Sequence, residues 1–279
     1  MSKILEKNIL SEYECNRITR FKVRAPQIAE KARAGQFVVV MADSRGERIP
    51  LTIVDAKKEE GSIFLIVQEV GFTTSLLNRL KEGDSFHALI GPLGKASVIK
   101  KYGEAIIIGG GVGIAEIYPV AQALKKKRNT LTVVLGARTK KLLILAEELQ
   151  KISDEFYTAT DDGSCGEKGF TTDILKKLIA GKHYDLVYVV GPIPMMKKAA
   201  ELTRKKDVKT IASLNSLMVD ATGMCGCCRI TVGGEVKFTC IDGPDFDAHL
   251  INWQEAESRS STYIEGENHI CRLGLGENR

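Results

Sequence analysis

The chain has 279 residues, 44% hydrophobic and 27% charged, a balance that suits two ordinary domains or one large one and excludes disordered and fibrous classes. Its net charge of +5 is mild. The basic runs Lys125-Lys126-Lys127 and Arg204-Lys205-Lys206 fall where helices should end and complement their dipoles, so no nucleic-acid partner is expected. No apolar stretch reaches the roughly 18 residues of a membrane span. The opening MSKILEKNIL is charged and alternating with no leader-like apolar run, so a cytoplasmic location is expected.

Residues 1–100 read as antiparallel β-structure. The expected strands are Lys3–Leu10, Asn16–Ala25, Gln36–Ala42, Pro50–Ala56, Ser62–Val70 and Ser85–Ile90, with one helix over Thr74–Lys81. In the fifth strand Ile63, Leu65 and Val67 share one face, with Phe64, Ile66 and Gln68 on the other. Six strands on short links predict a closed barrel, which leaves no free edge.

Residues 101–213 change rhythm. Strands over Ala105–Ile108, Leu131–Gly136, Phe156–Thr160 and Leu186–Val190 alternate with helices over Ile114–Lys127, Leu142–Lys151, Thr171–Ala180 and Pro194–Lys205. Such alternation predicts a parallel sheet covered on both faces, which takes nucleotides at the C-terminal ends of its strands. Residues 214–279 fit neither pattern and hold cysteines, glycines and a polar tail. Within that tail Phe246, Leu250, Ile251 and Trp253 are candidates for docking a partner, against the alternative of local packing.

Of seven cysteines, Cys225, Cys227, Cys228 and Cys240 crowd together. A secreted disulfide framework spreads an even set along a short chain, so this grouping points to a metal. Asp220-x4-Cys225-x2-Cys228-x11-Cys240 follows the plant-type ferredoxin spacing for a [2Fe–2S] cluster, with aspartate at the first ligand position. Gly223 and Gly226 let backbone N–H groups approach the sulfides. A hairpin over Arg229–Val232 and Glu235–Thr239, turned at Gly233-Gly234, would return Cys240 to the loop. A zinc site on Cys225, Cys228, Cys240 and a carboxylate is the competitor, but zinc sites usually pair two short spacings and only one C-x2-C is present. The Asp220 carboxylate keeps the thiolate's charge while binding iron through a harder oxygen. Cys227 is expected to point elsewhere and stands as the alternative fourth ligand. Cys15, Cys165 and Cys271 read as free thiols, and buried inert cysteines remain the bland reading of the group.

Three strand ends carry special turns. Ile108-Gly109-Gly110-Gly111-Val112-Gly113-Ile114-Ala115 runs from a strand into a helix, where glycine admits phosphates to the backbone. Taken alone it is also compatible with a plain tight turn. Thr160-Asp161-Asp162-Gly163 and Gly191-Pro192-Ile193-Pro194-Met195 end two further strands, and three such turns on one edge make a binding crevice. In the barrel, Arg48-Ile49-Pro50-Leu51-Thr52 sets a guanidinium suited to a pyrophosphate ahead of a strand, unless Arg48 is a solvated loop residue.

Together these residues resemble the ferredoxin–NADP reductase superfamily over nearly the whole chain. There R-x-(Y/P)-(S/L)-(S/T) marks an FAD site on a barrel and G-G-x-G-I-A the NAD lobe. The order of the three parts resembles the electron-transfer subunit of dihydroorotate dehydrogenase and the small subunit of NADH-dependent reduced ferredoxin:NADP oxidoreductase. Asp220, with Phe238-Thr239-Cys240-Ile241-Asp242-Gly243-Pro244, favours the second, which has aspartate where the first has cysteine. The resemblance implies that Arg48, Pro50, Leu51, Thr52, Gly71 and Thr74 hold FAD. It implies that Gly110, Gly111, Gly113, Asp161, Asp162, Gly191 and Met195 line the NAD(H) site. It further implies an electron relay between NAD(H), FAD and the [2Fe–2S] cluster that passes electrons to or from a larger flavin and iron–sulfur subunit, in a heterodimer that bifurcates electrons. Glu116 stands where many members have proline, and its charge would disfavour a 2′-phosphate and so NADP. A zinc-stabilised or redox-sensing binding module without turnover is the alternative of another class.

Overall fold

The computed structural model describes residues 2–14, 16–44 and 46–262, so Cys15 and Cys271 lie outside the described residues. In chain order the first unit holds β1 (Ile4–Tyr13), β2 (Asn16–Arg24), α1 (Pro26–Lys31), β3 (Phe37–Met41), β4 (Ile49–Thr52), β5 (Asp55–Lys57), β6 (Ser62–Gln68), α2 (Phe72–Arg79) and β7 (Ala88–Leu93). Its antiparallel strands form two sheets, β1-β2-β6-β5 and β4-β3-β7.

The single strand expected over Pro50–Ala56 is two strands. β4 pairs with β3 and β5 with β6, and the buried Ile53 and Val54 turn the corner between the sheets. Both sides of the corner are apolar, so sequence periodicity does not mark it. The barrel seam is closed by isolated contacts rather than a continuous ladder: a Lys3–Ser85 bridge, and the Ile53 N–H donating to the Gln36 carbonyl at 3.1 Å. Phe21, Val38, Val40, Ile63 and Leu65 fill the interior. Helix α1, absent from the sequence reading, begins on Pro26, whose missing N–H costs nothing in a first turn. It buries Ile28 and Ala29 against the barrel.

The second unit holds β8 (Glu104–Gly110), α3 (Gly113–Lys126), β9 (Thr130–Ala137), α4 (Ala146–Ile152), β10 (Glu155–Thr160), β11 (Glu167–Lys168), α5 (Thr171–Gly181), β12 (Leu186–Val190), α6 (Ile193–Arg204) and β13 (Thr210–Ser213). The helix expected from Leu142 starts later, because Lys140–Leu142 is a 3-10 turn and Leu145 is left-handed at φ 52°. Then come β14 (Arg229–Val232), β15 (Glu235–Phe238), β16 (Asp245–Asp247) and α7 (Trp253–Ser260). The large sheet runs β11-β10-β9-β8-β12-β13-β16, parallel except for β16. The chain therefore departs from β8 in both directions, which makes the C-terminal end of β8 a switch point. Ile106, Ile107 and Ile108 on β8 are fully buried, each contributing about 1.5–3 kcal/mol.

The stretch after Leu214 does not stand apart from this sheet, since β16 supplies its seventh strand. Phe246 and Ile251 are buried in the same core as Ile106, Val187 and Met196. Trp253 is half-buried and donates its Nε1–H to the Ala248 carbonyl at 2.9 Å. Of the four candidate docking residues only Leu250 is exposed; the local packing reading holds for the others. No helix among the described residues is long and apolar enough to cross a membrane.

Candidate functional site

A cavity of about 830 Å³ opens where the barrel, the parallel sheet and the cysteine-bearing segment meet. Cofactor sites commonly enclose about 300–1,000 Å³. The barrel wall includes Arg48, Pro50, Leu51, Thr52 and Thr74. Gly71 flanks this wall at the start of α2, and no heavy atom lies within 4 Å of where a Cβ on it would stand. The Thr74 hydroxyl accepts the N–H groups of Val70 and Gly71 at 2.9 and 3.0 Å and donates to the Gly71 carbonyl at 2.9 Å. That knot fixes the entry to α2, so the first turn of the helix presents its N–H groups beside the cavity.

The opposite wall comes from α3 and from the segment after β13. Glu116 lies in the first turn of α3, half-buried at the cavity surface with Val112 and Ala115. Glu116, expected from the sequence to disfavour a 2′-phosphate, lines the same cavity as Arg48, Pro50, Leu51 and Thr52. Loss of solvent, with the nearby Asp245 charge second, pushes its carboxyl up to about 7. Asp245 accepts hydrogen bonds from Ser97 Oγ at 2.6 Å and from the Tyr188 hydroxyl at 2.8 Å. Burial raises the Asp245 carboxyl and these hydroxyls moderate the rise. Tyr188 is pushed well above its ordinary value by burial and then by Asp245.

At the C-terminal edge of the sheet the glycines divide their work. A Cβ on Gly113 would stand 2.7 Å from the Val190 carbonyl oxygen, so this glycine lets α3 pack onto β12. Gly110 and Gly191 make room for Met195, whose Sδ and Cε would lie 2.6 Å from the respective Cβ positions. Gly111 alone is both left-handed, at φ 59°, and open on its side-chain side, so it is the backbone a phosphate can approach. Met195 thus packs on the turn, and close approach to phosphate explains one glycine rather than three. Asp161 and Asp162 are exposed at the end of β10, two strands from β8 or roughly 10 Å away. Asp162 accepts both the N–H and the hydroxyl of Ser164, which holds its carboxyl below the usual range.

The proposed metal ligands arrive as two pairs. Cys228 and Cys240 are buried beside Phe37, Val39 and Met218, with Sγ atoms 3.2 Å apart. Asp220 and Cys225 form the second pair. Asp220 Oδ2 accepts the Cys225 N–H at 2.9 Å and Oδ1 the Thr222 N–H at 2.8 Å, so the carboxylate braces the loop and titrates below its usual range. Among the described residues no three His, Cys, Asp or Glu side chains are gathered about one point. Left-handed backbone at Ala221, Gly223 and Gly226 coils the loop between the pairs. The hairpin forms as expected, with Gly233 and Gly234 at φ 61° and 83° and Val232 opposite Glu235. The Cys225 thiol lies close enough to push the Cys227 thiol up, and the Cys227 carbonyl accepts from Arg259 Nη2 at 2.7 Å. Cys165 is a free thiol, as expected.

Several site residues have no sequence signature. Tyr188 looks like any buried strand residue, Ser97 sits in an unremarkable loop, and Asp245 opens the three-residue strand β16. Arg259 on α7 lines the cavity and donates Nη2–H to the Cys227 carbonyl at 2.7 Å, linking the cavity to the cysteine loop. Only Glu116 carried a signal, as a departure from a familiar motif.

Residues 215–252 match the iron–sulfur cluster binding domain of dihydroorotate dehydrogenase B, and residues 107–201 match the oxidoreductase NAD-binding domain. A "dihydroorotate dehydrogenase B (NAD(+)), electron transfer subunit homolog" of Thermotoga maritima is 47% identical over 247 residues, 88% of this chain and 87% of the relative. The corresponding electron transfer subunit of Desulforamulus reducens is 30% identical, over 91% of this chain and all of the relative. A chain in the structure of the NADH-dependent reduced ferredoxin-NADP oxidoreductase, described in terms of flavin-based electron bifurcation, superposes with a TM-score of 0.91 at 43% identity. That match covers 99% of this chain and 98% of the other. With a cavity between barrel and sheet, a glycine edge and a paired-ligand loop in one order, the chain belongs to the family of dihydroorotate dehydrogenase B-type electron-transfer subunits and their homologues.

Proposed function

We propose that the chain is the NAD-facing subunit of a flavin-based oxidoreductase, with FAD in the cavity, NAD(H) on the glycine edge, a [2Fe–2S] cluster on the cysteine loop and a larger flavin and iron–sulfur partner subunit. The observation that carries this reading is the continuity of the three sites. Arg48 and Thr52 from the barrel, Ala115 from the nucleotide lobe and Val219 from the cluster segment wall a single cavity, and the residue after Val219 is Asp220. FAD, when bound, supplies the exchange between electron pairs and single electrons.

The chain's own residues do the rest. Arg48 and the first turn of α2 neutralise a pyrophosphate, and Thr74 keeps that turn in place. The edge of Pro50-Leu51-Thr52 orients a flat ring against the α3 wall. Gly111, with Gly110, Gly113, Gly191 and Met195 packed behind it, receives the nicotinamide nucleotide, and Asp161 and Asp162 face its far end. Asp220, Cys225, Cys228 and Cys240 would hold the two irons between them, the donor number a two-iron cluster requires. Around this loop Leu217, Val219, Met224 and Ile241 are exposed, an apolar rim where electrons would leave.

Functional units of 1–100, 101–213 and 214–279, in a cytoplasmic heterodimer, follow from this reading. Aspartate at the first ligand position and the full-length match to the bifurcating enzyme favour its NADH-dependent ferredoxin-NADP assembly. The alternative, a dihydroorotate dehydrogenase partner, is favoured by the names of the sequence relatives. Purification with the native partner tests both, because the partner decides between them. Flavin bands with a broad iron–sulfur shoulder, bleached by NADH, support the relay; a colourless zinc-containing protein overturns it.

A further inference from the structure

The wall of the cavity holds two carboxyl groups that the relay leaves without a task. Glu116 opens into the cavity with no hydrogen-bond or ion-pair partner among the described residues. Asp245, behind it on β16, accepts hydrogen bonds from two directions, Ser97 Oγ and the Tyr188 hydroxyl. Burial pushes the Asp245 carboxyl up, but the Ser97 and Tyr188 hydroxyls donate to it and favour its ionised form, a support that Glu116 lacks. A second ionised carboxylate in the same poorly hydrated wall is disfavoured, so Glu116 is the one poised to take up or release a proton near neutral pH.

We infer that Glu116 is the proton-exchanging carboxyl of this cavity, binding a proton from solvent when a hydride enters and releasing it when the electrons leave. The inference rests on the cavity being the flavin site. A hydride breaks its C–H bond at the reduced nicotinamide, which becomes cationic, and forms an N–H bond on the flavin ring. The pair of electrons adds one negative charge to the cavity. The O–H bond formed at Glu116 draws its proton from bulk water, so the charge inside the wall is unchanged. When both electrons pass to an iron–sulfur acceptor, the N–H and O–H protons return to solvent.

No neighbouring group takes this part. Tyr188 on β12 is committed to Asp245 and stays a neutral donor. Arg48 and Glu47 ahead of β4, and Arg259 on α7, are the other charged groups of the cavity wall. β8 and β9 turn apolar side chains such as Ile107 and Val133 toward α3. Glu148 on α4, with Asp55 and Lys57 on β5, gathers about Tyr118 on α3 rather than about Glu116.

The test uses the flavin-loaded chain with its partner subunit. Infrared difference spectra taken on reduction read carboxyl protonation, and the flavin midpoint potential is followed between about pH 6 and 8. The expected result is a protonated-carboxyl band on reduction and a change in the pH slope of the potential near neutrality. Both are lost in Glu116→Gln, and Asp245→Asn moves the change in slope to lower pH. Persistence of band and slope in Glu116→Gln overturns the inference, and that result decides alone if Asp245→Asn does not fold. A complex without flavin sinks the cavity reading together with this one; bound flavin without the carboxyl band sinks only this one.

Discussion

The glycine edge and the cysteine loop are both turns that would hold a cofactor, and they are built in opposite ways. At the glycine edge the backbone is fixed by packing: Gly113 rests on the Val190 carbonyl, Met195 fills the space over Gly110 and Gly191, and Ile114 and Ile117 are fully buried. The cysteine loop has little of this. Met224 is 88% exposed, and Asp220 ties the loop by hydrogen bonds to its own backbone. Of its residues Ala221, Cys228 and Cys240 reach a core. One turn is shaped before anything binds, while the other owes much of its order to what its ligands hold.

The comparison breaks most visibly at the buried sulfurs. Cys228→Ala or Cys240→Ala should lose essentially all iron while flavin content stays, measured by metal analysis and visible absorption; retained iron would mean another ligand set. At the packed turn the effect is on stability instead. Gly113→Ala should cost about 1–3 kcal/mol in denaturant unfolding by overpacking against a rigid carbonyl. Gly111→Ala should cost about 1 kcal/mol from its left-handed backbone and weaken NADH binding more than stability.

Glu116→Gln sharpens the contrast from the cavity side. The native carboxyl keeps its proton up to about pH 7, whereas the unfolded chain releases it near the ordinary glutamate value of 4.5. Stability should therefore fall as pH rises between those values and level off above, and the glutamine variant should lack that fall. The difference above pH 7 should be about 1–2 kcal/mol after discounting for cavity water, read from unfolding at several pH values. The smallest effect belongs to Cys227→Ala, which should leave iron content unchanged. Asp220→Cys should keep the cluster, and iron loss there would contradict the ligand assignment.

Much of the fold was legible because its signals are local. Short apolar runs ending in glycine mark β8 and β12, and helical spacing of Ile114, Ile117 and Ala121 marks α3. Cysteine spacing likewise announced the loop. What escaped depends on contacts distant in sequence. The corner at Ile53-Val54 is apolar on both sides, and β16 is three residues whose strand character comes from pairing with β13. Asp245 earns its importance only where Ser97 and Tyr188 converge on it. The docking role read into Phe246 and Ile251 failed for the same reason, since their apolar side chains serve the core of another segment.

The late strand β16 also bears on how the protein is made. Synthesis delivers the barrel and the six parallel strands β8 to β13 first, and they can collapse before β16 emerges. The cysteine loop hangs between β13 and β16, so the chain beyond Cys240 is tied to the sheet only when the edge strand docks. The cell's iron–sulfur assembly machinery would therefore meet an open loop on a largely finished scaffold, and the docking of β16 would come near the end of maturation.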